Sequence, residues 1–158
     1  MARARTITVI GAGDAPKEVC DAAFEVGREV ARAGAVLVNG GLGGVMQAAA
    51  AGARAAGGHT IGVLPGYDLG AANPHIEFAI ATGMGEARNA IVVASADAVI
   101  ALAGEGGTLA EIGFALKLKR PIVALNSWHE IKELERAATP HDAVATALRL
   151  MDSRSRAK

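Results

Sequence analysis

The chain has 158 residues, enough for one ordinary domain with a substantial single core. Hydrophobic residues make up 51% of it and aromatics only 3%, so that core must be aliphatic, while 16 basic and 16 acidic residues cancel and exclude the broad basic footprint of a nucleic-acid binder. The lone Cys20 excludes an internal disulfide and fits a reducing, cytoplasmic compartment; no stretch reads as a secretion signal or a membrane span.

Apolar periods and glycine turns alternate regularly along the chain. Residues 6–10 read as a first strand ending at Gly11-Ala12-Gly13, and 16–33 as a helix with Val19, Ala22, Ala23, Val26 and Val30 on one face. Residues 35–38 form a second strand, followed by Asn39-Gly40-Gly41-Leu42-Gly43-Gly44 and an alanine-rich helix over 45–56. A third strand spans 60–64, and a longer loop 65–74 leads to a fourth over 76–81. Residues 86–95 read as a helix, 98–102 as a strand, 108–118 as a helix and 121–125 as a sixth strand. The last helix, 141–151, starts after Thr139-Pro140, a good entry signal, and 153–158 form a basic, disordered tail beyond a domain of 1–152.

This alternation predicts a single α/β domain, a Rossmann-like three-layer fold with a mostly parallel sheet flanked by helices. Right-handed crossovers put the loops that follow strands at one sheet edge, the place where open α/β sheets bind ligands. Four such loops should meet there: 11–14, 40–44, 82–88 and 104–108.

Gly104-Glu105-Gly106-Gly107-Thr108, after the apolar run 98–102, has the form of a phosphate cradle opening a helix. Gly11 and Gly13 form either a tight turn with Asp14 as a cap or a direct ligand contact; the third glycine of a dinucleotide fingerprint is missing. Gly40, Gly41, Gly43 and Gly44 are read as backbone close to a ligand, or as room for helix packing, with Met46 beside them. Arg88 opens a helix near the same edge, where it holds a phosphate or polar ring, or pairs with Glu86 on the surface. Thr108 and Glu111 match a capping box, yet their location suits a carboxylate that orients water or steadies positive charge on a sugar. His59, His75, His129 and His141 show no metal-ligand spacing, and no Gly-x-Ser-x-Gly elbow occurs, which disfavours metal hydrolysis and Ser-His-Asp acyl transfer; no metal and no cofactor is expected.

Val38 to Met46, Arg88 and Gly104 to Glu111 together resemble the Lonely Guy (LOG) family, also labelled "lysine decarboxylase-like". Met84 within Thr82-Gly83-Met84-Gly85, Asn89 after Arg88, and Ser95 to Ile100 resemble a short branch of that superfamily close to molybdenum cofactor carrier proteins. The likeness implies a nucleotide-type ligand and two candidate activities. One is a phosphoribohydrolase cleaving the N-glycosidic bond of a nucleoside 5′-monophosphate, with Arg88 and Glu111 catalytic. The other is a non-catalytic carrier or sensor of a phosphorylated pterin (molybdenum cofactor) or nucleotide. Lysine decarboxylation is not implied, since no lysine context for pyridoxal phosphate is present. Gly11, Gly13, Gly40, Gly41, Gly43, Gly44, Met46, Met84, Asn89, Gly104, Gly106, Gly107 and Thr108 are then the phosphate- or nucleotide-binding set, and a homo-oligomer (dimer or tetramer) is implied, with no nucleic-acid or membrane partner. Two departures matter. In Ala103-Gly104-Glu105-Gly106-Gly107-Thr108 the family proline is lost and Glu105 enters the loop, and the cation after the family arginine is replaced by Asn89. Both oppose or weaken the holding of a phosphate dianion.

Overall fold

The computed structural model describes residues 2–157. Seven strands are threaded in chain order: β1 (Thr6–Ile10), β2 (Val36–Asn39), β3 (Thr60–Leu64), β4 (Phe78–Ala81), β5 (Ala98–Ala101), β6 (Ile122–Leu125) and β7 (Glu135–Ala137). Five α-helices accompany them: α1 (Lys17–Arg32), α2 (Val45–Ala55), α3 (Arg88–Ala94), α4 (Gly106–Lys117) and α5 (Pro140–Arg156). All neighbouring strands are parallel and lie in the order β4-β3-β2-β1-β5-β6-β7. The chain therefore builds outward from β1 in one direction, then returns to β1 and builds outward in the other. The expected Rossmann-like three-layer fold is the observed one.

Period-two alternation explains why both faces are covered. Ala98 and Ile100 of β5 point with Ile7, Val9 and Leu37 toward α1, α2 and α5, where Val26, Val30, Ala49 and Ala147 receive them. Val99 and Ala101 point the other way, with Ile10 and Ala124, against Val93 of α3 and Ile112 and Ala115 of α4. With so few aromatics, the layers close by bringing backbones together instead. A methyl group at Gly27 of α1 would overlap the Ala49 carbonyl oxygen, and one at Gly52 of α2 the Phe24 carbonyl oxygen. The two helices touch main chain to main chain.

Several boundaries differ from the sequence expectation, each for a local reason. β4 begins at Phe78, two residues later than expected; Glu77 just before it bonds Thr60 of β3 through its N–H, at 3.2 Å to the carbonyl, while its carboxylate pairs with Arg54 at 2.9 Å and His59 at 2.8 Å. β7 was not expected: its three residues, Glu-Arg-Ala, carry no apolar alternation, and as an edge strand it needs none. The helix expected over 86–95 is a 3-10 turn, Gly85–Ala87, followed by α3. α5 runs to Arg156, which corrects the disordered tail expected from 153. Ser153 and Ser155 donate back to the Arg149 and Met151 carbonyls, and Arg154 and Arg156 sit in the last turn, where basic groups favour the helix dipole. Its start is as expected: the Thr139 hydroxyl accepts the Asp142 N–H at 3.1 Å and Pro140 opens the helix.

Candidate functional site

The direction of building reverses between β1 and β5, which pair in register from Ile7 with Ala98 to Ile10 with Ala101. At their carboxyl ends the two following loops are tied together, the Ala12 N–H donating to the Ala103 carbonyl at 3.0 Å. The next loop joins them: the Val45 N–H donates to the Ala12 carbonyl at 3.0 Å. Gly44 makes that approach possible. Its φ of 62° is left-handed, and a side chain there would run into the Ala12 carbonyl. Buried Asn39 shapes the same turn from inside, accepting the Gly41 N–H at 2.8 Å and donating to the Met46 carbonyl at 2.9 Å.

These loops and the start of α3 enclose a cavity of about 340 Å³. Of the residues expected at the site, Gly11, Gly13, Met46, Arg88, Asn89, Gly107, Thr108 and Glu111 line it. Gly40, Gly41, Gly43, Gly44, Gly104 and Gly106 are not among its lining residues, and two of them lie against residues that are. At Gly40 a Cβ would press on the Arg88 guanidinium at 2.7 Å, and at Gly104 it would overlap the Thr108 hydroxyl. Met84 does not line the cavity and is half exposed. Leu42, Asp14, Glu86 and Glu105 do line it, although none was expected as a ligand contact. The sequence signal for Leu42 was a single large apolar residue inside a glycine run.

Arg88 is not a surface ion-pair residue. It is 7% exposed, and its Nε–H donates to the Val63 carbonyl at 2.9 Å. One terminal nitrogen donates to the Gly40 carbonyl at 3.3 Å and the other to the Asn89 side-chain oxygen. Three of the five N–H donors of a guanidinium are thereby committed to the protein. The arginine clamps β3, the glycine turn and the start of α3 to one another. It also aims Asn89: with its oxygen occupied, the Asn89 amide keeps its N–H donors free at the cavity wall.

α4 starts at Gly106, two residues earlier than expected, and this dissolves the capping box. Glu105 takes the N-cap position without capping through its side chain, and Thr108 falls inside the first turn. The leading N–H groups of Gly106, Gly107 and Thr108 precede the first intrahelical bond, from the Leu109 N–H to the Glu105 carbonyl. They form an anion-friendly patch, opposed at its edge by Glu105. Glu111, one turn further, is buried against the cavity. Burial pushes its carboxyl up to about 7, Arg88 pulling it back down and Glu86 adding to the rise.

A second cavity, about 290 Å³, opens at the opposite end of the strands beside Arg3, Arg5, Arg120 and Arg154. Arg3 and Arg5 there are paired with Asp97 and Asp152. Among the described residues no group of His, Cys, Asp and Glu is placed to hold a metal ion, and no helix is long and apolar enough to cross a membrane.

An open parallel sheet with a loop-lined crevice at its switch point defines a Rossmann-like α/β protein of the ligand-binding type. The chain belongs to the SLOG cluster4 family, whose model matches residues 4–153. It is 44% identical over 139 residues to an uncharacterized protein of Archaeoglobus fulgidus, covering 87% of this chain and 91% of that one. Among solved structures it is similar to the molybdenum cofactor binding protein of the phototrophic bacterium Rippkaea orientalis, with 35% identity, a TM-score of 0.87, and 97% and 98% of the two chains covered. It is also similar to the Moco carrier protein of Chlamydomonas reinhardtii, with 34% identity, a TM-score of 0.85, and 96% and 99% covered. The superfamily resemblance drawn from the sequence is thus met at the level of SLOG and of these carrier proteins.

Proposed function

We propose that this protein binds a phosphorylated pterin of the molybdenum cofactor type in the β1–β5 crevice and acts as its cytoplasmic carrier. The observation that carries the reading is the commitment of Arg88. The residue that a phosphoribohydrolase would use on its substrate turns three of its five N–H donors to Val63, Gly40 and Asn89, holding them in place. The similarity to proteins described as binding or carrying molybdenum cofactor supports the same conclusion. In this reading the phosphate lies against the free N–H groups at the start of α4, and the ring against Leu42 and Met46. Glu105 and the absence of a second cation keep the phosphate grip modest, which suits a ligand that must be handed on.

Hydrolysis of a nucleoside 5′-monophosphate is the second reading, favoured by the buried Glu111 whose carboxyl is raised toward neutrality, where general acid–base work is possible. Assembly as a homo-oligomer (dimer or tetramer) belongs to the proposal as well. Leu109, Phe114 and Leu116 of α4 and Leu118 just past its end are apolar and exposed, as expected of a helix that meets another chain.

The test is to titrate the full chain with 6-hydroxymethylpterin phosphate and with AMP while monitoring base release. Saturable pterin binding without base release is expected. Release of adenine from AMP that disappears in Glu111→Ala would overturn the carrier reading in favour of the hydrolase.

A further inference from the structure

Glu111 is the group in the crevice whose chemistry the fold leaves unanswered. It is 8% exposed, lines the cavity, and finds no hydrogen-bond partner among the described residues. Arg88 does not supply one: its hydrogen bonds go to two carbonyls and Asn89, and it acts on Glu111 through charge alone. A carboxylate accepts only, and its two oxygens lie side by side, so a matching partner presents two adjacent, parallel donors. The walls limit what that partner is. Leu42 and Met46 offer apolar surface to a flat ring, and Asp14, Glu86 and Glu105 discourage an anionic group away from the helix start. Glu111 lies four residues beyond Gly107, about 6 Å along the helix axis, roughly the length of a fused bicyclic ring.

Resting on the function proposed above, we infer that Glu111 reads the ring edge of the ligand, its carboxylate accepting from the 2-amino group and the adjacent lactam N–H of a 2-amino-4-oxo-pyrimidine ring. Rings of the pterin and guanine type carry that pair of donors; a ring with oxygen in place of the amino group does not. Glu111 is then the specificity-determining residue of the crevice. A site that offers a buried acceptor penalises the analogue lacking the donor, because the acceptor is left unpaired. Burial holds the Glu111 carboxyl at about 7, with Arg88 and Glu86 acting on it in opposite senses and Asp14 and Glu105 also facing the cavity. Recognition of the two donors needs the ionised form, so affinity for the amino-bearing ring falls as pH drops below 7.

The experiment compares 6-hydroxymethylpterin phosphate with the corresponding lumazine phosphate, which has 2-oxo in place of 2-amino, by calorimetric titration of the full chain and of Glu111→Gln. Wild type is expected to bind the pterin at least tenfold more tightly at pH 7.5. That preference shrinks on the order of tenfold by pH 5.5 as the carboxylate is protonated. The phosphate titrates in both ligands and cancels in the ratio. Glu111→Gln is expected to bind the two within about threefold of each other, at the level of wild type with lumazine. Equal binding of the two ligands by wild type, or a preference that survives in Glu111→Gln, overturns the inference while leaving pterin binding intact. If wild type binds neither ligand, the proposed function itself falls, and this inference with it. The ligand comparison in wild type does not depend on how well the variant folds.

Discussion

Replacing Arg88 by methionine keeps most of the side-chain length and removes the guanidinium. If the arginine is a clamp, the cost falls on folding. Arg88 bonds the Val63 carbonyl at 2.9 Å and the Asn89 side-chain oxygen, while the bond to the Gly40 carbonyl, at 3.3 Å, is weaker. Hydrogen bonds from a charged donor contribute about 1.5–3 kcal/mol each, and a buried acceptor left alone costs about 1–3 kcal/mol. Two good bonds and one weak one give roughly 3–6 kcal/mol. The methionine returns about 1–2 kcal/mol through apolar burial in the 7%-exposed site. A net loss of about 2–4 kcal/mol is expected, a large share of the roughly 5–15 kcal/mol that holds a domain together. Arg88→Lys retains the charge but reaches only one of the three acceptors, so about 1–3 kcal/mol is expected. Urea denaturation gives the answer directly, with a lowered midpoint at unchanged slope. A methionine variant that keeps its midpoint within about 0.5 kcal/mol of wild type, yet loses ligand binding, would refute the clamp and return Arg88 to direct ligand contact.

Other consequences are as specific. Gly27→Ala and Gly52→Ala each gain about 1 kcal/mol of helix propensity, but the new methyl group collides with main chain across the α1–α2 contact; a net loss of about 2–4 kcal/mol should appear in urea melts. Asp97, bonded by Arg3 and by the Thr6 N–H at 2.9 Å, has its carboxyl held down at about 2. Its stabilisation is complete above the ordinary aspartate range and is lost as pH falls toward 2. Asp97→Asn should therefore cost about 1–2 kcal/mol at pH 7, discounted for the exposed Arg3, and almost nothing at pH 2, as read by thermal melts. Glu111 has the opposite sign. The unfolded chain gives up its proton near the usual glutamate value and the folded chain only near 7, so stability of the unliganded protein declines between those values and then levels off. Glu111→Gln should remove that decline, leaving the variant about 1–3 kcal/mol more stable than wild type at pH 8 and equal to it near pH 4.

The order of strands and helices up to β6 was legible because the buried strands are largely aliphatic runs, most of them followed by a glycine turn, and the helices carry apolar faces. β7 was not, since Glu135-Arg136-Ala137 joins the sheet through its main chain at an edge where side-chain pattern is not selected. The meeting of four loops at one crevice followed from parallel topology alone. What each residue does there did not. Thr108-x-x-Glu111 has the spacing of a capping box, and only the start of α4 at Gly106 shows that the box is not made. Likewise, the sequence left Arg88 between a phosphate contact and a surface pair with Glu86, and gave no sign of its inward turn onto the carbonyls of Val63 and Gly40, because main-chain acceptors leave no trace in side-chain pattern.

The same inward turn explains why Asn89 and Arg88 should be considered together. A cation following Arg88 would add charge at the crevice wall, but it could not accept the guanidinium N–H. Asparagine accepts it and keeps two donors of its own. The exchange converts a wall that would grip a phosphate by charge into one that presents neutral donors to the same cavity as a buried, unpartnered carboxyl. Such a wall discriminates by the pattern of donors and acceptors on a ring more than by net charge. Its affinity for the ligand should accordingly fall only weakly with added salt, whereas a charge-gripped phosphate would be released as ionic strength rises. Titration of 6-hydroxymethylpterin phosphate at about 0.05 and 0.5 M salt separates the two: a change of under about threefold is expected, and a loss of tenfold or more would place the binding energy back on the phosphate.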